Sequence, residues 1–296
     1  TSALITDELM SDFESYTELA PLHVPANILG VEAVKKVLPN VPMVGVFDTA
    51  FHQTLDKIQY IYPVPYEWYQ KYGIRKYGFH GTSYRYICKQ IPRLFGRDEY
   101  KAIICHLGSG ASIAAVKSGV CVDTSMGFTP VVGVMMGTRS GDIDSSIIPF
   151  IMEKEDKTVT DVMDDLNKRS GFLGLSGCAS DFRDIYQGVV DGNEQCKLAF
   201  DKFVQTVVNY IAMYYVELGG ADVICFTAGL GENASEAREA IMKKLDCLGV
   251  KLDEKANQVR GEEVKISSAD SKIMCFAVPT NEELMIAEDT LSLIGE

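Results

Sequence analysis

The chain has 296 residues, of which 47% are apolar and 23% are charged, a composition typical of a globular protein with about two domains. Its 28 basic and 41 acidic residues give a net charge of −13, which argues against a nucleic acid or an anionic membrane as the main partner. No apolar run reaches the roughly 18 residues of a membrane span and no signal-peptide pattern begins the chain, so a cytoplasmic protein is expected.

The eight cysteines contain no CxxC pair, and several of them, such as Cys225 and Cys275, lie in apolar, strand-like segments. This pattern predicts buried free thiols in a reducing compartment rather than a disulfide framework. The four histidines do not have the spacing of a zinc site. We therefore expect a fold that depends on its apolar core.

The order of hydrophobic segments predicts an α/β protein. Before residue 100, residues 41–48 have the pattern of a strand and residues 60–72 that of an aromatic, proline-rich loop. Residues 101–106, 111–116 and 120–124 predict three strands of an antiparallel meander with tight turns. The later segments alternate between helix and strand, which favours parallel β-α-β pairing. The predicted helices cover 145–153, 159–169, 194–218, 235–248 and 282–293, and the predicted strands cover 222–227 and 272–278.

Two glycine-rich turns are candidate phosphate-binding loops. The first follows the first meander strand, where small residues allow backbone N–H groups and a hydroxyl to close on a phosphate, although a plain hairpin turn has the same composition. The second, residues 229–234, follows a strand and formally matches GxGxxA; we expect a nucleotide there, but not a nicotinamide cofactor. The residues of the first turn are His106, Leu107, Gly108, Ser109 and Gly110.

Four polar residues are candidates for chemistry, and each has a structural alternative. Arg139 offers a planar fork for phosphate oxygens, but its glycine-flanked loop also carries two aspartates and is equally typical of a surface salt bridge. His80 lies between two glycines, where it is better placed for chemistry than most lone histidines. Asp48 and Glu282 follow predicted strands, where each carboxylate suits either Mg²⁺ or a helix N-terminus.

Taken together, these segments resemble the acetate kinase family over nearly the whole chain and in the same order. The segments that carry the resemblance are Pro21-Leu22-His23, Val46-Phe47-Asp48-Thr49-Ala50-Phe51-His52, Ile74-Arg75, Tyr77-Gly78-Phe79-His80-Gly81-Thr82-Ser83, Cys105-His106-Leu107-Gly108, Asp123-Thr124-Ser125-Met126-Gly127, Gly137-Thr138-Arg139-Ser140-Gly141-Asp142, Phe226-Thr227-Ala228-Gly229, Gly231-Glu232-Asn233 and Pro279-Thr280-Asn281-Glu282-Glu283.

The resemblance implies an α/β fold of the actin, Hsp70 and sugar-kinase class, with two similarly built domains and ATP or ADP between them. Residues 50–282 would form the complete second domain, whereas residues 1–49 and the closing helix at 283–296 would belong to a partial first domain. The implied activity is reversible phosphoryl transfer from ATP to acetate, which gives acetyl phosphate and ADP, with Mg²⁺ or Mn²⁺ as cofactor. The implied assembly is a homodimer.

Carried over by position, the resemblance implies a role for each motif residue. Asp48 and Glu282 would hold the metal, and Asp48 would be catalytic together with His80 and Arg139, which would hold the transferred phosphoryl group. The turn at 106–110 would lie along the donor phosphates. The other expected nucleotide-binding residues are Asp181, Phe182, Arg183, Gly229, Leu230, Gly231, Glu232 and Asn233, and the expected pocket for the acetate methyl group is formed by Leu22, Phe79 and Pro130.

The sequence departs from the family pattern at three places. The family usually has Asn at the position of Ser109, His at the position of Tyr84, and about a hundred further residues before Thr1. From the last departure we expect these 296 residues to bind nucleotide without forming meaningful amounts of acetyl phosphate. Three other functions stay open: a propionate or other short-chain acyl kinase, a non-catalytic nucleotide-binding fragment, and a Rossmann dehydrogenase, which would leave the Arg139 loop unexplained.

Overall fold

The computed structural model describes residues 2–15 and 24–295. Within these ranges, strands β1 and β2 form a short antiparallel pair, and the remaining strands form one six-stranded mixed sheet. The strands are β1 (Ala3–Leu4), β2 (Val44–Gly45), β3 (Lys101–Leu107), β4 (Ala111–Lys117), β5 (Val120–Thr124), β6 (Val223–Thr227), β7 (Val264–Lys265) and β8 (Met274–Ala277).

Helices precede, separate and follow these strands, and short 3-10 turns cover Ala50–Thr54, Asp246–Leu248 and Ala256–Gln258. No helix in the described ranges is long and apolar enough to cross a membrane. The α-helices are α1 (Asp7–Ser15), α2 (Val24–Val37), α3 (Lys57–Tyr60), α4 (Tyr66–Tyr72), α5 (Gly81–Phe95), α6 (Ile147–Glu155), α7 (Val159–Lys168), α8 (Gly171–Ser176), α9 (Phe182–Val190), α10 (Glu194–Glu217), α11 (Ala228–Asn233), α12 (Ser235–Lys244) and α13 (Glu282–Ile294).

The large sheet has the strand order β5-β4-β3-β6-β8-β7. The predicted meander of β3, β4 and β5 is confirmed as antiparallel, and the predicted parallel pairing is confirmed for β3 with β6 and for β6 with β8. His106 pairs with Thr227 at the carboxyl ends of β3 and β6. The turn after β3 and the start of α11 therefore lie side by side, which brings the two glycine-rich segments together.

The central strands are apolar on both faces because each face is covered by helices. Alternate residues of β3 enter different clusters: Ile103 and Cys105 pack with α10, whereas Ala102 and Ile104 pack with α5. This alternation follows from the two-residue period of a strand. Continuous burial on both sides is typical of parallel sheets, and here it makes the sheet a rigid base for the turns at its carboxyl edge.

Two predictions about the segment before residue 100 are wrong. The expected strand at 41–48 is reduced to β2, because its hydrogen-bonding partner β1 is only two residues long. The expected loop at 60–72 contains helix α4, which begins after Pro65 and ends at Gly73 in a left-handed conformation (φ 64°). Proline suits a helix start and glycine suits a helix end, so these two residues outweigh the loop-like composition between them.

The predicted helix at 235–248 is also too long, since α12 ends at Lys244 and a 3-10 turn follows before Gly249 (φ 82°). At the other end of the chain, α13 contacts both β1 and α5. The Arg85 guanidinium donates to both oxygens of Asp289 at 2.6 Å, which ties α5 to α13. The division of the chain at residues 49/50 and 282/283 stays a prediction.

Candidate active site

The carboxylate of Asp48 organises the start of helix α5. One carboxylate oxygen accepts the backbone N–H of His80 at 2.6 Å, and the other accepts that of Thr82 at 3.2 Å. Asp48 therefore caps a helix that begins more than thirty residues later. A carboxylate oxygen can accept two hydrogen bonds, so the capping alternative and a metal role are compatible.

His80 adopts a left-handed backbone conformation (φ 60°) directly before Gly81. A side chain at Gly81 would collide with the carbonyl oxygen of Asp48, which accepts the Gly81 N–H at 2.9 Å. Such a conformation is costly for a residue other than glycine and is maintained by the surrounding structure. The absence of a side chain at Gly81 thus allows the close approach of Asp48.

His80 and Arg139 converge on the turn between β3 and β4. A Cβ atom on Gly110 would lie 3.3 Å from Arg139 Nη1 and 3.4 Å from His80 Nε2. Arg139 Nη1 donates to the carbonyl of Pro130 at 3.3 Å. Since glycine leaves this space open, the two side chains present their nitrogen atoms to the same small volume.

The sequence left open that the Arg139 loop forms a surface salt bridge. Among the described residues, however, none forms an ion pair with Arg139. Asp142 instead accepts hydrogen bonds from the Gly133 amide and the Tyr210 hydroxyl, and Asp144 accepts one from the Ser146 amide. The guanidinium therefore retains donors for an added anion.

Two imidazole rings lie face to face in the site. The rings of His80 and His106 are 4.0 Å apart and almost parallel. His106 Nδ1 lies 2.9 Å from the Ser83 hydroxyl, which in turn lies 2.8 Å from the Thr280 hydroxyl. Burial lowers the pKa of His106 well below its usual range, and the neighbouring His80 lowers it further.

Burial also lowers the pKa of His80 to about 4, with Asp48 acting in the opposite direction and the Arg139 charge lowering it further. Burial lowers the pKa of Arg139, but from so high a starting value that the guanidinium stays charged. At neutral pH the site therefore combines one permanent positive charge with two neutral imidazoles.

A second carboxylate lies close to Asp48. Glu282 is the first residue of α13, and its pKa is raised by burial and then by the negative charge of Asp48. The cap of that helix is Asn281, whose side chain accepts the Leu284 N–H at 3.0 Å. The alternative of a helix cap with acidic first-turn residues therefore fits this segment, with Asn281 as the cap and Glu282 in the first turn. A role for Glu282 as a metal ligand stays a prediction.

This pair of hard oxygen donors suits Mg²⁺, which usually takes one or two carboxylates together with water and phosphate oxygens. The part of the chain that the structure describes contains no group of three or more His, Cys, Asp or Glu residues arranged for a metal ion. Asp48 and Glu282 fit a magnesium ion that completes its coordination with water and the nucleotide.

A cavity of about 620 Å³ opens beside the two glycine-rich segments. Eight of the predicted nucleotide-binding residues line it: Gly108, Ser109, Asp181, Phe182, Arg183, Gly229, Leu230 and Asn233. Two further lining residues, Gly137 and Ala234, belong to sequence motifs but were not predicted to bind nucleotide. The others carry no motif and were missed: Phe172, Ser180, Tyr186, Gln187, Glu236 and Arg260. The volume is within the usual range for a small-molecule site.

Five predicted nucleotide-binding residues lie outside that lining. Leu107 is fully buried in the core, and Glu232 accepts the Thr280 N–H at 3.0 Å. Gly231 packs so closely on Phe226 that a Cβ atom would lie 2.9 Å from the carbonyl carbon. The remaining two, His106 and Gly110, belong to the cluster around His80.

The start of α9 carries a local ion pair at the cavity. Asp181 accepts the Arg183 backbone N–H at 2.8 Å and the Arg183 guanidinium at 2.7 Å. These hydrogen bonds lower the pKa of Asp181 to about 2. Because both side chains are largely exposed to solvent, we expect this ion pair to contribute little to stability and mainly to shape the wall of the cavity.

Arg238 stabilises the backbone next to the cavity, and no pattern in the sequence predicted this role. This fully buried guanidinium donates to the carbonyl oxygens of Gly231, Asn257 and Val259 at 2.6–2.9 Å. It thereby holds α11, whose first residue Ala228 has a φ of 63°. A buried arginine that donates to several carbonyls fixes their relative positions.

The three residues expected around a substrate methyl group are only partly accounted for. Leu22 lies outside the described residues. Phe79 is half-buried and directly precedes His80, and its carbonyl accepts a hydrogen bond from His52 Nε2 at 2.9 Å. Pro130 lies against Arg139 through its carbonyl. Pro130 is thus in contact with Arg139, whereas a role for Phe79 and Pro130 in a pocket for the methyl group stays a prediction.

Comparison with known proteins identifies the family of the chain. The acetokinase family profile matches residues 1–288. The chain belongs to the acetokinase family. Acetate kinase of Onion yellows phytoplasma is 54% identical over 292 residues, which cover 99% of this chain and 71% of that protein. Acetate kinase of Bacillus subtilis is 52% identical over 294 residues, with 99% and 74% covered.

Solved acetokinase structures have the same fold. Porphyromonas gingivalis acetate kinase superimposes with a TM-score of 0.94 at 44% identity and covers 99% of this chain and 74% of that one. A Francisella tularensis propionate kinase also has a TM-score of 0.94, at 41% identity, with 99% and 75% covered. The expected α/β fold of the actin, Hsp70 and sugar-kinase class is confirmed, and membership of the acetokinase family implies a kinase rather than a dehydrogenase.

The buried histidines predict how stability depends on pH. Burial lowers the pKa of His52, like that of His80, to about 4, whereas an unfolded chain titrates near 6.5. Between these values the unfolded state binds protons that the folded state does not, so acidification from pH 6.5 to 4 lowers the free energy of unfolding by up to about 1.4 kcal/mol per pH unit and histidine.

Urea denaturation of the wild type and His52→Gln at several pH values tests this prediction. Glutamine can still donate to the Phe79 carbonyl but does not titrate, and the other groups are common to both proteins. Between pH 4 and 6.5, the free energy of unfolding should change with pH by about 1 kcal/mol per pH unit less in the variant than in the wild type. Parallel slopes would contradict the prediction.

Proposed function

We propose that the protein catalyses reversible phosphoryl transfer between ATP and acetate, which forms acetyl phosphate and ADP. The observation that carries this proposal is the convergence of Arg139 Nη1 and His80 Nε2 above Gly110, beside a cavity lined by Gly108 and Gly229. Family membership supports the reaction class. On the resemblance alone, we extend the proposal to a cytoplasmic homodimer.

In this proposal the reaction needs charge stabilisation rather than a strong base. An acetate oxygen attacks the γ-phosphorus, and the bond between that phosphorus and the oxygen bridging to the β-phosphate breaks, so that ADP leaves with the electron pair. Acetate is already ionised at neutral pH, and both reactants are anions. Arg139 would neutralise charge on the transferred group, while neutral His80 would donate a hydrogen bond to it.

The nucleotide would lie with its adenosine in the cavity near Asp181, Phe182 and Leu230 and its phosphates along the turn at 106–110. The backbone N–H groups of that turn suit phosphate oxygens, and glycine allows the close approach. Asp48 and Glu282 would hold Mg²⁺ or Mn²⁺, which when bound neutralises phosphate charge. This placement keeps the γ-phosphate next to His80 and Arg139.

Arg139→Lys in the full-length enzyme should lower kcat by two or more orders of magnitude with little change in KM for ATP. Lysine keeps the charge but loses the planar fork that the transition state needs. Hydroxamate trapping of acetyl phosphate provides the rate, and Arg169→Lys, at an exposed position, is the control. A near-normal kcat for Arg139→Lys would remove Arg139 from the mechanism.

Glu282→Ala should raise the Mg²⁺ concentration needed for half-maximal activity about tenfold or more, because the hard cation loses a carboxylate partner. Its neighbour Glu283 is exposed, so Glu283→Ala is the matched control. Equal Mg²⁺ titrations for the two variants would assign no metal role to Glu282.

Propionate kinase is the second candidate, because the solved propionate kinase matches this fold as well as the acetate kinase does. From the methyl pocket that the resemblance implies for Phe79 and Pro130, we expect acetate to be favoured in kcat/KM by about 10- to 200-fold, the range that one methylene provides. Competition assays with both acids test this expectation. Equal or better use of propionate would move the assignment to the second candidate. MgATP binding without turnover by the full-length enzyme would favour a non-catalytic nucleotide-binding protein.

A further inference from the structure

We propose that Ser112, itself held by Tyr84, is a positioning residue that keeps the proton of His80 on Nε2. In this tautomer His80 presents an N–H group to the volume that it shares with Arg139. The tautomer follows from the hydrogen bonds alone, whereas its use in donating to a transferred phosphoryl group rests on the proposed function.

Tyr84, Ser112 and His80 form a chain of hydrogen bonds from the core to the site, which we call the relay. The Tyr84 hydroxyl is in short contact with Ser112 Oγ, and Ser112 Oγ lies 2.8 Å from His80 Nδ1. Tyr84 projects from the first turn of α5, Ser112 belongs to β4, and both are completely buried. The imidazole is thus held from its Nδ1 side by the sheet.

Counting protons gives the direction of each hydrogen bond. Burial raises the pKa of Tyr84 well above its usual range, so the phenol keeps its proton. Among the described residues, the Tyr84 hydroxyl has no hydrogen-bond partner other than Ser112. Tyr84 therefore donates to Ser112, and the single hydroxyl hydrogen of Ser112 is left for His80 Nδ1.

The reverse direction leaves a proton unused. If His80 Nδ1–H donated to Ser112, the serine would donate to Tyr84, and the buried phenol hydrogen would have no acceptor. An unsatisfied buried donor is costly, whereas the first arrangement uses every proton. Since Nδ1 then accepts the Ser112 hydrogen and carries none of its own, the ring proton of His80 must be on Nε2.

This tautomer opposes the preference of the Arg139 charge. The Arg139 guanidinium next to Nε2 would by itself favour a lone pair on that atom, because a positive charge repels an N–H dipole. Ser112 and Tyr84 override this preference from the opposite edge of the ring. The result is a neutral donor beside a cation, both available to one anion.

The test is long-range ¹H–¹⁵N correlation NMR of the 296-residue chain labelled with ¹⁵N-histidine, which reports the protonation of each ring nitrogen. The chain contains four histidines, and His80→Gln assigns the resonance of interest. At pH 7 we expect His80 to carry its proton on Nε2 with a preference of about tenfold or more. Nδ1 protonation, or a doubly protonated ring, would overturn the proposal.

Two variants test the residues separately. Ser112→Ala removes the donor to Nδ1, so the tautomer ratio should shift by about tenfold toward Nδ1–H. Tyr84→Phe frees Ser112 to accept from Nδ1–H and should shift the ratio several-fold in the same direction. An unchanged ratio in Ser112→Ala would overturn the role of Ser112, and an unchanged ratio in Tyr84→Phe would overturn that of Tyr84.

Matched controls lie in the same core. Tyr100→Phe removes a buried hydroxyl that donates to the Cys88 carbonyl, and Ser125→Ala removes one that accepts from the Ile113 amide. Neither contacts His80, so both should leave its tautomer unchanged; a shift as large as that of the test variants would overturn the specific relay. If a test variant fails to fold, the tautomer of His80 in the wild-type protein still tests the proposal.

Calorimetric MgATP titration of the same protein separates this inference from the proposed function. The Nε2–H tautomer without MgATP binding would count against the proposed function and leave the relay standing. MgATP binding with the Nδ1–H tautomer would reject the relay and leave the proposed function standing.

In the full-length enzyme, Ser112→Ala should lower kcat about tenfold with unchanged KM for ATP, whereas equal losses in Ser125→Ala would contradict a positioning role.

Discussion

The site depends on one interaction, in which the carboxylate of Asp48 accepts the backbone N–H groups of His80 and Thr82. This interaction joins the segment before residue 50 to the start of α5 and stabilises the left-handed conformation of His80. A helix N-terminus favours a negative charge, so the carboxylate and the helix stabilise each other. Asp48 also lies close enough to Glu282 for its negative charge to add to the effect of burial in raising the pKa of that residue.

Burial then determines the charge state of the site. Two stacked imidazoles stay neutral because desolvation lowers their pKa values, while Arg139 keeps its charge. Each imidazole is hydrogen-bonded through Nδ1 to a serine hydroxyl, which belongs to Ser112 for His80 and to Ser83 for His106. Side chains that are held in this way need little reorganisation when an anion arrives, which is how a preorganised site lowers a barrier.

The sheet supplies the geometry that unites the nucleotide cavity with this cluster. Since β3 and β6 are parallel neighbours, the Gly108–Gly110 turn and α11 open at the same edge, and Arg238 holds α11 through its carbonyl groups. Adenosine and phosphates would therefore lie on one rigid surface, with His80 and Arg139 at its end. The proposed phosphoryl transfer requires this alignment of two anions more than it requires a strong acid or base.

The sequence by itself determined the meander at 101–124, the parallel order of the later strands and the long helix α10, because hydrophobic period and turn residues are local signals. Its motifs also identified the acetokinase family. Only the tertiary structure decided that Leu107 faces the core, that Glu232 bonds to the Thr280 amide, and that Arg238 supports the cavity. Side-chain direction depends on packing between segments far apart in the chain, and so does the contact between Ser112 and His80, which no local pattern of residues encodes.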